Sequence, residues 1–155
     1  MSTRARPKRR IERIRADINQ TMSGSEQSIT LHTAEDSKTL VRVFADLLIY
    51  NTGDNQLGTA YEIVLSVSPG GTNVVTAAVA QALDQDVTLQ EITRKRGVVF
   101  RAQDGTPDVV MQENQEWHLD TKAARKMKAG DLLIFRFIGS TDVVMRGTVY
   151  MWFKE

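Results

Sequence analysis

Two hydrophobic rhythms divide the chain. Near the N-terminus Ile11, Ile14, Ile18 and Met22 recur at spacings of three and four, the period of one helix face. Pro7 suits a first helical position and Gly24 a stop. The other faces carry Lys8, Arg9, Arg13 and Arg15. The pattern predicts a basic amphipathic helix. A helix of about 15 residues is marginal alone in water, so Ile11, Ile14 and Ile18 need a partner. That partner is either the body of the chain or the same helix from neighbouring copies, which makes these three isoleucines candidate inter-subunit contacts. An arm that is disordered until it meets a ligand fits the same residues.

From Ser28 the period drops to two. Val41, Val43, Ala45, Leu47 and Ile49 alternate with Arg42, Phe44, Asp46, Leu48 and Tyr50, and a turn follows at Asn51–Asn55. Tyr61, Ile63, Leu65 and Val67 form a second alternating run, closed by Pro69-Gly70-Gly71. Short strands are predicted over Gly97–Gln103, Val109–Met111 and Glu116–Asp120. Asp131–Ile138 and Val143–Phe153, joined by Gly139-Ser140-Thr141-Asp142, read as a hairpin. Two segments read instead as short helices: alanine-rich Val75–Leu83, and Thr121–Ala129 between Asp120 and Gly130. Seven or eight strands with turn clusters predict an all-β antiparallel sandwich or jelly roll.

The last two strands are apolar on both sides. Val149, Met151 and Phe153 share one face, Tyr150 and Trp152 the other; Leu133, Phe135 and Phe137 oppose Leu132, Ile134 and Ile138. A half-solvated strand is apolar on one face only. Neighbouring copies are the favoured cover for the second face, with other parts of the chain as the alternative.

Charge sharpens this picture. The 155 residues carry a formal net charge of +1, but residues 1–15 hold Arg4, Arg6, Lys8, Arg9, Arg10, Arg13 and Arg15 against Glu12 alone, 7 − 1 = +6. The remaining 13 basic and 18 acidic residues give −5. A basic arm, residues 1–24, therefore precedes a mildly acidic domain, residues 25–155. Such asymmetry points to a polyanionic partner. Arginine forks pair with phosphate oxygens two at a time, so these seven side chains are the candidate nucleic-acid contacts. Lys8-Arg9-Arg10 also reads as a nuclear-targeting signal. Lys122, Arg125, Lys126 and Lys128 form a second basic cluster, read as a solvated loop.

Enzymatic chemistry is not marked. With no cysteine, disulfides, thiolate catalysis and sulfur-ligated zinc are excluded. His32 and His118 are the only histidines, too few for a histidine-rich metal centre. Asp84-Gln85-Asp86 lacks the glycine and terminal glutamate of a calcium loop. No phosphate loop or nucleophile elbow occurs. The reading is no enzyme, no metal and no cofactor. No apolar run approaches the ~20 residues of a membrane span, so no membrane partner is expected.

Trp117-His118-Leu119-Asp120-Thr121-Lys122-Ala123-Ala124-Arg125-Lys126-Met127-Lys128-Ala129-Gly130-Asp131, followed by two closing strands and Phe153-Lys154-Glu155, resembles the small single-jelly-roll capsid proteins of circular Rep-encoding single-stranded DNA viruses. The architecture is also similar to that of the satellite tobacco necrosis virus coat protein, in which a short basic helix precedes a jelly roll. The resemblance is sharpest over about a quarter of the chain, Trp117–Glu155, and Val75–Leu83 departs from it. It implies a single jelly roll of about eight strands. Copies of the chain, about sixty of them, would close into an icosahedral T=1 shell. The arm would neutralise packaged single-stranded nucleic acid, DNA rather than RNA. The protein would reside in the virion, with assembly in the host nucleus. The alternative is a non-viral nucleic-acid-binding β-sandwich of low oligomeric state.

Overall fold

The computed structural model describes residues 10–52, 58–71, 89–99, 115–121 (backbone only) and 125–155. Nine strands run through them: β1 (Ile11–Thr21), β2 (Gln27–Thr33), β3 (Lys38–Asn51), β4 (Thr59–Ser68), β5 (Gln90–Val99), β6 (Gln115–Thr121), β7 (Arg125–Met127), β8 (Leu132–Gly139) and β9 (Val143–Lys154). The only helical turn among the described residues is a 3-10 turn at Pro69–Gly71. The predicted helix Val75–Leu83 and strand Val109–Met111, and Asp84–Asp86, lie outside the described residues.

The strands form two antiparallel sheets, β1-β9-β3-β6 with β7 also on β3, and β2-β8-β4-β5. Pairing is nested: β1 with β9, β2 with β8, β3 with β6, β4 with β5. A long antiparallel ribbon paired this way has been rolled up, so that β9 also meets β3 and β8 also meets β4. That is the double Greek key of a jelly roll, the fold expected from the sequence.

Alternate residues of the central strands supply the core. Val43, Ala45, Leu47 and Ile49 of β3 and Val149, Met151 and Phe153 of β9 face Ile63, Leu65 and Val67 of β4 and Leu133, Phe135 and Phe137 of β8, all fully buried. Side chains one position apart point to opposite faces, so each sheet retains an outer face with its own chemistry. Tyr61 crosses β5 at Gly97, where a Cβ would stand 2.5 Å from the phenol oxygen; only glycine leaves room for that ring.

Three expectations are corrected. The first is the N-terminal helix: residues 11–21 are the edge strand β1, paired with β9 along its whole length, Ile11↔Lys154 to Thr21↔Val144. The ladder satisfies the backbone of β1 and lets Ile14, Ala16 and Ile18 pack on the core, which outweighs a marginal helix propensity. The helical stripe of isoleucines is thereby split. Ile18 is buried, Ile14 is half-buried against the same core, and Ile11 lies on the opposite face, 60% exposed. Ile14 and Ile18 pack within the chain, and residues 11–21 form a strand in place of the expected helical stripe.

The second is the helix over Thr121–Ala129. Residues 121 and 125–127 are strand, the latter on β3 with Met127 buried. The Asp131 carboxylate accepts hydrogen bonds from the backbone N–H of Lys128 (2.8 Å) and of Gly70 (2.9 Å). It thus closes the β7–β8 turn and ties it to the turn after β4, in place of a helix end.

The third is the cover over β8. Ile134 and Ile138 on its outer side are 1% and 5% exposed within the single chain, so no neighbour is needed to bury them. Ion pairs accompany them there, centred on the buried carboxylates of Glu26 and Glu62. Arg136 donates through Nε (2.9 Å) and Nη2 to Glu26, and Arg94 and Arg96 both donate to Glu62. These contacts explain why β5 begins at Gln90, earlier than its apolar pattern predicts: its charged residues have acidic partners on the sheet.

Candidate nucleic-acid interface

The arm leads into the first sheet. Arg4, Arg6, Lys8, Arg9 and Lys122 lie outside the described residues. Arg10 is exposed immediately before β1, and its carbonyl accepts from the N–H of Glu155 (3.3 Å). Arg13 and Arg15 then follow at a spacing of two and point to the outer face of the sheet, away from Ile14 and Ile18.

The register orders that face in rows. The first is Ile11, Lys154, Thr39 and Lys126; the second Arg13, Trp152 and Arg42; the third Arg15, Tyr150 and Phe44; the fourth Asp17, Thr148 and Asp46; the fifth Asn19, Arg146 and Leu48. Arginine guanidinium groups lie over aromatic rings along it. The Arg42 guanidinium is 4.8 Å from the Trp152 centroid, Arg13 is 5.3 Å from Tyr150, and Arg146 is 5.5 Å from Tyr50. Tyr150 and Trp152, both half-buried, have centroids 6.3 Å apart, inclined at 40°.

Charge is graded along the rows. Five cations, Arg13, Arg15, Arg42, Lys126 and Lys154, occupy the first three, while the acidic side chains described on this face, Asp17 and Asp46, share the fourth. Asp17 holds Arg15 through a 2.9 Å ion pair and accepts from the Thr148 hydroxyl (3.2 Å). The hydrogen bond and charge of Asp17 raise the pKa of the Arg15 guanidinium. In the β6 register Asp120 stands opposite Phe44, so positive charge is concentrated on the β1–β9 side. Of the second basic cluster, Arg125 donates to the Glu91 carbonyl (3.1 Å) and is occupied in linking β7 to β5. Lys126 and Lys128 are exposed.

No protein-family model matches the chain, and no curated protein matches it. Several solved structures are similar, among them the following three. A pentameric capsid protein isolated from metagenomic phage sequences aligns at 16% identity over 87% of this chain, with a TM-score of 0.39. A second structure of such a protein aligns at 17% identity over 87%, with a TM-score of 0.41. A structure of infectious bursal disease virus, Gt strain, aligns at 10% identity over 94%, with a TM-score of 0.37. The chain spans 58%, 66% and 33% of the lengths of these three chains.

The sequence pattern singles out Arg13 and Arg15 as candidates but does not show their setting. Tyr150 and Trp152 show as a second apolar face of the last strand, and Arg42 as one polar position among several in β3. Their convergence depends on β9 lying between β1 and β3, a neighbourhood between residues more than a hundred positions apart. The one available signal is compositional: arginine and aromatic residues at alternate positions of strands otherwise rich in aliphatic residues.

Proposed function

We propose that this chain is a viral capsid protein, similar to those of circular Rep-encoding single-stranded DNA viruses, whose copies close into a small icosahedral shell around single-stranded nucleic acid. The observation that carries the reading is the junction of arm and fold. A segment with five basic and no acidic residues, residues 1–10, leads into the edge strand of a jelly roll, and the outer side of that sheet continues the positive charge through Arg13, Arg15, Arg42 and Lys154. An acidic body tethered to a basic arm suits a container: bodies meet each other while arms neutralise the polyanion within, by counterion release and without base readout. About sixty copies make the smallest closed shell of this symmetry. DNA is the favoured cargo, the virion the location, and Lys8-Arg9-Arg10 the signal that would bring the chain to the nucleus for assembly.

Electron microscopy of the purified protein, with the 260/280 nm absorbance ratio of the same fraction, tests the reading. Uniform spheres are expected, with a ratio raised by packaged nucleic acid. A small monodisperse species across salt and pH overturns it and favours a non-viral nucleic-acid-binding module.

A further inference from the structure

We propose that the outer face of the β1-β9-β3-β6 sheet is a base-stacking surface for single-stranded nucleic acid, with Trp152 and Tyr150 as platforms and Arg13, Arg42 and Lys154 as phosphate partners. The inference rests on the reading of the chain as a nucleic-acid packager and adds to it a second contact, on the sheet itself and beyond the basic residues that precede β1.

Aromatic rings set in a positive groove form the common surface for unpaired strands, since every base has a face to stack on. Both components are present here within three rows of the sheet. Trp152 is flanked in register by Arg13 and Arg42, and Tyr150 by Arg15 and Phe44. The guanidinium carbons of Arg42 and Arg13 already lie over the Trp152 and Tyr150 rings. A base stacks on a guanidinium plane directly, or takes the ring while the displaced guanidinium turns to the adjacent phosphate; arginine serves in both ways.

Spacing selects the form of the strand. The two ring centres are 6.3 Å apart, well beyond the ~3.4 Å rise of a stacked duplex strand. Neighbouring bases seated on both rings therefore belong to an unstacked strand. Paired bases are shielded inside a duplex and do not reach rings set on a sheet.

Charge selects nucleic acid over a second copy of the same face. A self-complementary contact would join two faces on each of which five cations, Arg13, Arg15, Arg42, Lys126 and Lys154, outnumber the described acids Asp17 and Asp46, a net like-charge arrangement that opposes association. Continuity supports the same occupant: a strand neutralised by Arg4–Arg10 is led by the chain onto the row of Ile11 and Lys154 and then to Arg13 and Trp152.

The test uses the full-length protein, dissociated into subunits, and a labelled oligothymidylate at fixed ionic strength. Trp152→Leu is expected to weaken binding by about tenfold without changing the salt slope, because no phosphate contact is lost. Trp152→Phe should restore most of the affinity, and binding of a duplex of equal length should be the same for all three proteins. Affinity for the single strand that stays within twofold in Trp152→Leu overturns the inference and leaves the arm as the binding element. Loss of particle assembly in Trp152→Leu with unchanged strand affinity overturns it too, in favour of a contact between copies. Should Trp152→Leu not fold, Trp117→Phe leaves Trp152 as the sole tryptophan. Its emission is expected to be quenched as the oligonucleotide binds, and binding without quenching overturns the inference. A wild-type protein that binds no strand at any salt is a different failure, that of the proposed function itself.

Discussion

Arg42 of β3 stands directly opposite Trp152 of β9 because β3 carries one extra residue, Val41, between Leu40, opposite Phe153, and Arg42, opposite Trp152. A bulge of this kind shifts which positions face inward. Leu40 is buried before it, and Val43, Ala45, Leu47 and Ile49 after it. Deleting Val41 therefore leaves the register on both sides intact, whereas deleting Phe44 forces either half of β3 to turn its apolar residues outward. Urea unfolding should show the Val41 deletion losing less than about 2 kcal/mol, and the Phe44 deletion should yield no soluble protein. Equal losses in the two would remove this account of the bulge.

The same bulge shows what was legible in the sequence. Alternation from Val43 to Ile49 and in β4, β8 and β9 is regular, so those strands are readable from period two alone, and with them the fold class. β1 is not, because spacings of three and four across Ile11, Ile14 and Ile18 imitate a helix. The pairing of β1 with β9, which decides the matter, joins opposite ends of the chain. β7 is three residues long among good helix formers, too short for any period to show. The basic arm was legible by charge; the Arg42–Trp152 contact was not, since it needs both the bulge and the rolled topology.

Gly147 is the tightest point of the first sheet. Its φ is +152°, and a Cβ there would run into the backbone of β3 at Asp46 and Leu47. Backbone has no rotamer by which to yield. Gly147→Ala is expected to cost more than about 3 kcal/mol or to abolish soluble expression. Gly24, with φ +84° and nothing within 4 Å of its absent Cβ, isolates the conformational term. Gly24→Ala should cost about 1–2 kcal/mol. Thermal melts of the two variants that coincide would show that crowding at Asp46 contributes nothing.

Glu26 and Arg136, 6% and 4% exposed, form a buried pair on the outer side of the second sheet. Removing one member takes from the other its closest counter-charge among the described residues, in a poorly hydrated site. Glu26→Ala should cost about 3–5 kcal/mol. Replacing both, Glu26→Leu with Arg136→Met, should recover most of that loss, since well-packed apolar side chains commonly match a buried pair. A double variant no more stable than Glu26→Ala would mean that Arg136 serves a further role.

Acid should loosen the end of β1 from β3. His32 packs against Phe153 at 4.6 Å between centroids. Burial lowers its pKa from 6.5, an effect opposed by Glu12 and Glu35 and reinforced by Lys38; Asp36 lies at the same site. The unfolded chain therefore binds the His32 proton more readily, and stability falls as pH drops below 6.5. Glu12 adds to this. Its hydrogen bond and ion pair with Lys38 at 3.0 Å lower its pKa from 4.5, so its contribution is present above 4.5 and is lost as pH falls through the lower folded value. Melting temperature measured from pH 7.5 down to about pH 3 should decline, and His32→Gln should flatten the decline below pH 6.5 while leaving the Glu12 loss below pH 4.5. An unchanged profile in His32→Gln would assign the acid loss elsewhere.

Because β1 begins at Ile11, the arm has to be cut before it if the fold is to be kept. Removing residues 1–15 would take away Ile14 and half of the β1–β9 ladder, confounding lost charge with lost structure. Removing residues 1–9 deletes Arg4, Arg6, Lys8 and Arg9 and leaves every described strand intact. Each phosphate contact contributes about 0.7 to the log–log salt slope on single strands. Four lost contacts should therefore reduce that slope by about 3, with a melting temperature within a degree or two of the full chain. The slope that remains reports on Arg10, Arg13, Arg15 and the rest of the outer face. If the slope is unchanged by the truncation, the arm makes no phosphate contacts, and packaging rests on the sheet alone.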